Sequence, residues 1–471
     1  MSVERKITVP ILRLFHPRSI AVVGASTDAQ LLPLKTLLSG NYRGKIFPVN
    51  PNENKMLGLK VYRSVKDIPK QPDYAIILTP ADIVPEVLKD CAEKKVPFAQ
   101  ILASGFSEMS EKGRRAEEQL KKIAGRTRIL GPNCLGVYCP ESGLTFRPDF
   151  SRESGSAALV SQSGGMAVAF VLWAQSLGIR FSKVVNYGNG CDLNEADFIE
   201  YLASDKKSKV ITVYMEGIKS GRRFLEVCAD AARKKPLIVW KAGTTKEGAR
   251  AAKYHTGTYV TLKNPEASLK RSGAVVVHDL PEMVYTTLAF SLMPLPKGRR
   301  TCLIGMSGGA SVTNADACIS AGLLLPAPSQ RTIDKIGEII EPAGASLVNP
   351  IDLAIGYLDA EVQKIAIRSL GVDPKFDSLI VEAPLHVALS GVNKQEAGQA
   401  YSVFGAILES CKKILRTKPL VIVLPPFGAG TLRSKIKKTC IDGGVAVFDE
   451  VPTAAKAIAN MAWYAESHRK Y

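Results

Sequence analysis

No run of eighteen apolar residues occurs in the 471-residue sequence, so it offers no membrane-spanning helix. The opening stretch, Met1 to Pro10, carries charges where a secretory leader needs an apolar centre. A cytoplasmic location with no membrane partner is the expectation. Metal-ligand spacing is also missing. The nine cysteines are scattered, and the nearest pair, Cys134 and Cys139, fits no zinc motif. Most others sit in apolar runs such as Thr301-Cys-Leu-Ile-Gly305. Reduced, buried thiols and no metal site are expected.

Negative charge is in short supply. Against 62 Lys and Arg stand 44 Asp and Glu, for a net charge of +18, which favours polyanionic partners. The basic groups Lys206-Lys207, Arg233-Lys234-Lys235 and Lys435 to Lys438 lie far apart, with no interleaved aromatics. Nucleic acid is therefore not expected, while a small cofactor with several phosphates or a complementary subunit is compatible.

Short apolar runs separated by helix-length segments fill the chain. Ser19–Gly24, Lys45–Asn50, Tyr74–Leu78, Phe98–Ala103 and Arg128–Leu130 read as strands. Such alternation implies βαβ units and a parallel sheet, giving an α/β, Rossmann-like domain over residues 1–140. The pattern restarts at Ser156–Val160 and continues at Lys183–Val185, Val210–Tyr214 and Pro236–Trp240. This is a second domain, 141–290. After a Pro- and Gly-containing linker at 292–300 a third domain, 301–471, opens at Thr301–Gly305. Flavodoxin-like doubly wound sheets are expected for both later domains.

Val22-Val-Gly-Ala-Ser-Thr27 ends the first strand in small residues before a helix. Exposed N–H groups and the helix dipole attract phosphate there, which suits a mononucleotide or CoA diphosphate. NAD fits poorly. One glycine stands where the dinucleotide fingerprint has three, and the second strand ends in Asn50-Pro51 instead of an acid. Loops at the same carboxyl edge add Thr79 and Pro80, then Ser104, Gly105 and Phe106, then Asn133. With Gly24, Ala25, Ser26, Asn50 and Pro51, these are the candidate cofactor-binding residues.

Ser161, Gln162, Ser163, Gly164 and Gly165 lie between a strand and a helix expected from about Met166. They form a second candidate phosphate cradle. Of five histidines, only His255 sits in a glycine-bounded stretch after a strand, Gly248-Ala-Arg-Ala-Ala-Lys-Tyr-His-Thr-Gly257. That stretch reads as a mobile loop, and a lone histidine is open to a structural or a catalytic role. Glu216 ends an apolar strand, where an acid could accept a hydrogen bond from one imidazole nitrogen and leave the other nucleophilic.

Taken together, Phe15-His-Pro-Arg-Ser-Ile-Ala-Val-Val-Gly-Ala-Ser26, Gly131-Pro-Asn-Cys-Leu-Gly136, Val160-Ser-Gln-Ser-Gly-Gly165, Tyr214-Met-Glu-Gly-Ile218, His255-Thr-Gly257 and Asn349-Pro-Ile-Asp-Leu353 are similar in order and spacing to one family. The chain resembles the alpha subunits of ADP-forming acetyl-CoA (acyl-CoA) synthetases and, more distantly, of succinyl-CoA synthetase. The resemblance implies coenzyme A as cofactor and His255 and Glu216 as catalytic residues. Phosphate would convert acyl-CoA to acyl phosphate, His255 would take the phosphoryl group, and ADP would receive it. It also implies an ATP-grasp beta subunit that holds Mg-ADP or Mg-ATP, in a hetero-oligomer such as α2β2. A small carboxylic acid or its acyl-CoA would be the substrate, and apolar residues around Val168 favour a small or apolar acid over a dicarboxylate. The alternative is a non-catalytic CoA-binding or regulatory subunit of the same fold.

Overall fold

The computed structural model describes residues 10–25, 32–256, 264–305, 308–341, 343–383, 394–426 and 430–468. The candidate Ser26 lies outside them. By its packing the chain forms two units, residues 1–278 without 176–178, and residues 279–471 with 176–178.

The first unit holds two large sheets and a two-stranded antiparallel one, Lys55–Met56 with Leu59–Lys60. Strands β1 (Ser19–Val23), β2 (Lys45–Val49), β3 (Tyr74–Ile77), β4 (Phe98–Ile101) and β5 (Arg128–Leu130) are parallel, in the order β2-β1-β3-β4-β5. The second sheet uses β6 (Gly136–Tyr138), β7 (Ser154–Ser161), β8 (Phe181–Asn186), β9 (Val210–Met215), β10 (Leu237–Lys241) and β11 (Val275–Val276). Its order is β11-β10-β9-β7-β8-β6, with only β6 antiparallel. The strand order reverses beside β1 in the first sheet and beside β7 in the second, and ligands of doubly wound sheets bind at the carboxyl ends next to such a switch point. β8 and β9 are buried at every residue, as expected for parallel strands covered on both faces.

One apolar cluster runs from Ile20 and Val22 through Leu130 and Val137 to Val160 and Val213, so the two sheets share a core. Polar ties reinforce it. Arg128 pairs with Asp192 at 2.8 Å, and Asp192 also accepts from the Ile129 N–H at 2.9 Å. Asn189 donates to Glu117 at 3.0 Å and Glu108 at 2.6 Å.

The second unit has one parallel sheet built from β12 (Thr301–Gly305), β13 (Ile351–Asp352), β14 (Ser378–Glu382), β15 (Leu420–Val423) and β16 (Val447–Phe448). Its order is β13-β12-β14-β15-β16. The helix Leu280–Leu292 packs against the helix Val451–His468, and Tyr285 donates to Asp449 at 2.5 Å.

One local expectation is corrected. The stretch read as a loop around His255 is the helix Lys246–Thr256, with His255 in its last turn. Three alanines give helical propensity. Thr245 caps the start by accepting the Gly248 N–H at 3.0 Å. Gly257 lies outside the described residues.

Candidate functional site

The carboxyl ends of β7 and β9, neighbours at the switch point of the second sheet, carry the cradle and the acid. Tyr214 and Glu216 are two residues apart and share one side of the strand end. The Tyr214 hydroxyl donates to Glu216 Oε1 at 3.0 Å. Burial and the neighbouring Glu216 push that phenol far above its ordinary value, so it stays a donor. His255 Nδ1 lies 2.7 Å from Glu216 Oε2. The carboxylate is 9% exposed and the imidazole 56%. Donating Nδ1–H to the carboxylate leaves Nε2 with its lone pair. Tyr214 was not among the candidates, although its i,i+2 spacing from Glu216 is the signal that could have found it.

The cradle is built differently from its sequence reading. Ser161 Oγ donates to the Ser163 carbonyl at 2.8 Å and is buried. Gln162 Oε1 accepts from the main-chain N–H groups of Glu216 and Gly217 at 2.8 and 2.9 Å. Asn186 Nδ2 donates to the carbonyls of Ser161 and Gln162, both at 3.0 Å. These side chains shape the turn. Open to an anion is the start of the helix Gly164–Ser176, where a Cβ on Gly165 would meet only Ser163 Oγ, at 3.9 Å. Gly165 is exposed, and unpaired first-turn N–H groups attract phosphate.

Of the basic residues near His255, Lys241 is already engaged. Its Nζ donates to the carbonyls of Glu216 at 2.8 Å and Ala242 at 2.6 Å. Burial pulls its pKa down, and Glu216 partly offsets this.

At the first sheet, Gly24 has φ +88°, and a Cβ there would lie 2.8 Å from Thr79 Cγ2. The backbone can pass Thr79 only because the side chain is absent. Thr79 Oγ1 is buried without a hydrogen-bond partner, which suits a polar ligand atom arriving at this edge. Asn50 is used internally, giving Nδ2–H to the Ala25 carbonyl at 3.0 Å and accepting the Asn52 N–H at 2.9 Å. Ala25 is buried, whereas Pro51, Pro80, Ser104 and Gly105 are exposed along the edge. The N–H groups of Gly105 and Phe106 donate to Glu108 at 2.6 and 3.1 Å. The Phe106 ring is packed into the core, not offered to a ligand. Asn133 has φ +57° and its N–H donates to the Ala103 carbonyl at 2.9 Å. Among the described residues no cluster of three His, Cys, Asp or Glu is arranged to hold a metal.

The chain is similar to known proteins. Residues 18–140 match a family described as a CoA binding domain, and residues 154–290 a succinyl-CoA ligase like flavodoxin domain. The chain is 36% identical to the ADP-forming acetate–CoA ligase II subunit alpha of Pyrococcus furiosus, covering 95% of this chain and 97% of that one. It is 39% identical to the ADP-forming acetate–CoA ligase II of Archaeoglobus fulgidus, over 79% of this chain and 57% of that one. A solved structure of Ca. Korarchaeum cryptofilum dinucleotide forming acetyl-coenzyme A synthetase 1, in complex with phosphate and ADP, superposes with TM-score 0.86 at 30% identity. The match covers 98% of this chain and 97% of that one.

Proposed function

The chain belongs to the family of ADP-forming acetate–CoA ligase alpha subunits, and on that premise we propose that His255 carries a phosphoryl group from an acyl phosphate to a nucleotide on a partner chain. The overall reaction is that of an acid–CoA ligase. Acyl-CoA, phosphate and ADP become acid, CoA and ATP, reversibly. Inorganic phosphate adds to the thioester carbon, the C–S bond breaks, and the CoA thiolate leaves and takes a proton. His255 Nε2 then attacks phosphorus, the P–O bond to the acyl oxygen breaks, and the carboxylate departs. ADP finally takes the phosphoryl group from nitrogen.

The observation that carries this reading is the His255–Glu216 pair at 2.7 Å, tied through Gln162 to the turn before the open helix start. Oriented donors and a fixed tautomer supply most of what phosphoryl transfer asks of a protein. Gly24, Thr79 and the exposed edge loops would hold coenzyme A, and Gly164 and Gly165 the phosphate. A regulatory subunit without turnover has no use for such a pair.

The nucleotide, with its Mg²⁺, is assigned to an ATP-grasp beta subunit. The sequence carries no Walker A motif, and the chain spans 57% of the Archaeoglobus relative, whose remaining length has room for such a region. We favour a hetero-oligomer in the cytoplasm. All nine cysteines are free, as in a reducing compartment, and no helix among the described residues is long and apolar enough to cross a membrane.

The test is phosphorylation of the chain by acetyl phosphate labelled on phosphorus. The expected product is acid-labile, base-stable phosphate on the native chain and none on His255→Ala. Equal labelling of that variant would defeat the proposal.

A further inference from the structure

Tyr187 directly follows β8, beside the turn that starts the phosphate helix. Its N–H donates to the Ser161 carbonyl at 3.0 Å, and its own carbonyl accepts the Gly190 N–H at 3.2 Å. The chain then turns back over the ring. Gly190 has φ +61°, and a Cβ there would lie 3.1 Å from Tyr187 Cδ2. The side chain is fully buried, yet its hydroxyl has no hydrogen-bond partner. A buried hydroxyl is costly unless water or another polar group meets it. Burial, Glu195, Glu216 and Tyr214, in that order, push the phenol far above its ordinary value, so it stays a donor.

Glu216 and Tyr214 belong to the site already described, and Glu195 is a second acid behind them. It is 1% exposed, at the start of the helix Glu195–Ser204 that Asn194 caps. Its Oε1 accepts the Lys219 N–H at 3.2 Å. Lys219 lies just past the Glu216 and Gly217 N–H groups that Gln162 holds, so Glu195 supports the same segment further along. One apolar cluster contains Tyr187, the Leu193 and Phe198 that flank Glu195, and the Met215 and Ile218 that flank Glu216. The phenol thus stands in the core between the two acids. Burial raises the Glu195 carboxyl above its ordinary value, although its own N–H, the Lys219 N–H and the Lys219 ammonium pull the other way. Its proton is held more tightly than on a solvated glutamate.

We infer that a buried water joins the Tyr187 hydroxyl to the carboxyl groups of Glu195 and Glu216, which makes Tyr187 and Glu195 positioning residues for Glu216 and, through it, for His255. The inference rests on the ligase reading. A buried water makes about three hydrogen bonds, which these three groups supply. Glu216 is then fixed by Gln162 on its main chain, by Tyr214 on Oε1 and by the water, with Oε2 left to His255.

Tyr187→Phe tests this by removing one oxygen atom. A hydroxyl with no partner predicts a variant that melts above the native chain, because an unmet polar group is gone. The bridged hydroxyl predicts a lower melting temperature and labelling of His255 by acetyl phosphate that is slower by roughly threefold to tenfold where the variant is folded. It also predicts displaced nitrogen resonances of the His255 imidazole. Glu195→Met should slow labelling to the same degree. Glu195→Gln keeps an acceptor for the Lys219 N–H and a donor for the water, so it should restore the native rate and the native resonances. Native labelling and native His255 resonances in Tyr187→Phe, or in Glu195→Met, overturn the inference whatever the stability of the variant. No labelling of the native chain would instead defeat the ligase reading, and this inference with it.

Discussion

Gln162 and Glu216 are 54 residues apart in sequence, yet the side-chain oxygen of Gln162 accepts the Glu216 main-chain N–H at 2.8 Å and that of Gly217 at 2.9 Å. The turn that starts the phosphate helix and the strand end that bears the acid therefore move as one piece. Gln162→Ala would leave two buried N–H groups without an acceptor, at about 1–3 kcal/mol each. Urea unfolding should show that loss. Labelling of His255 by acetyl phosphate should slow at temperatures where the variant is still folded, because Glu216 loses its support.

Glu216→Gln keeps the shape of the side chain and removes its charge. A charge-assisted hydrogen bond contributes about 1.5–3 kcal/mol, so phosphorylation of His255 should slow by roughly tenfold to a hundredfold. Nitrogen NMR of the imidazole should report a mixed tautomer where the native chain holds its proton on Nδ1. An unchanged tautomer and an unchanged rate would contradict the role assigned to Glu216.

Two glycines should respond oppositely to alanine. At Gly24 the φ of +88° and the 2.8 Å approach to Thr79 Cγ2 make Gly24→Ala strained, costing about 1–3 kcal/mol in stability. At Gly165 a Cβ meets only Ser163 Oγ at 3.9 Å, so Gly165→Ala should melt with the native chain. It should nevertheless bind orthophosphate more weakly, because the methyl group occupies the open helix start. Thermal melts paired with phosphate titration separate the two outcomes.

Lys183 and Asp205 form a pair at 2.8 Å in which the lysine side chain is 1% exposed and the aspartate 10%. Burial pulls the Asp205 carboxyl up, but hydrogen bonds from Lys183 and Ser208 outweigh it and hold the pKa below the usual range. A carboxylate with a depressed folded pKa contributes stability that is present above its unfolded value, about 3.9, and is lost as pH falls through the folded one. Asp205→Asn should cost about 3–5 kcal/mol near neutrality, since it strands a buried ammonium. The gap from the native chain should narrow below about pH 4, as acid-unfolding curves would show.

Glu382 ends β14 and accepts from Asn314 at 3.0 Å. Burial raises its pKa, and Asn314 offsets this only in part. The sign is the reverse of the Asp205 case. The folded chain binds this proton more tightly, so stability declines as pH rises through the unfolded and then the folded pKa. Glu382→Gln should raise the melting temperature at pH 7 to 8, with the difference disappearing in acid. A lower melting temperature at pH 8 would show that the charge is needed there.

Much of the architecture was readable in one dimension. Buried parallel strands are continuous apolar runs, so Val210–Tyr214 was recognised and extends to Met215, and Thr301–Gly305 was found with its bounds unchanged. The helix expected from about Met166 after β7 begins two residues earlier, at Gly164. Such features depend on residues within a few positions of one another.

What the side chains do was decided only by folding. The sequence marked Gln162 as a phosphate ligand and Phe106 as a cofactor contact, but their neighbours come from distant segments. Gln162 meets the end of β9, and the Phe106 ring meets a core. His255 shows both sides. Its type and its glycine-bounded setting could be read from the residues. Its place in a helical turn, 2.7 Å from an acid 39 positions earlier, exists only because β9 and β10 are neighbours in the sheet. Local propensity and apolar periodicity are written in adjacent residues, whereas the partner of a hydrogen-bonding group is chosen by whichever segment the core brings beside it.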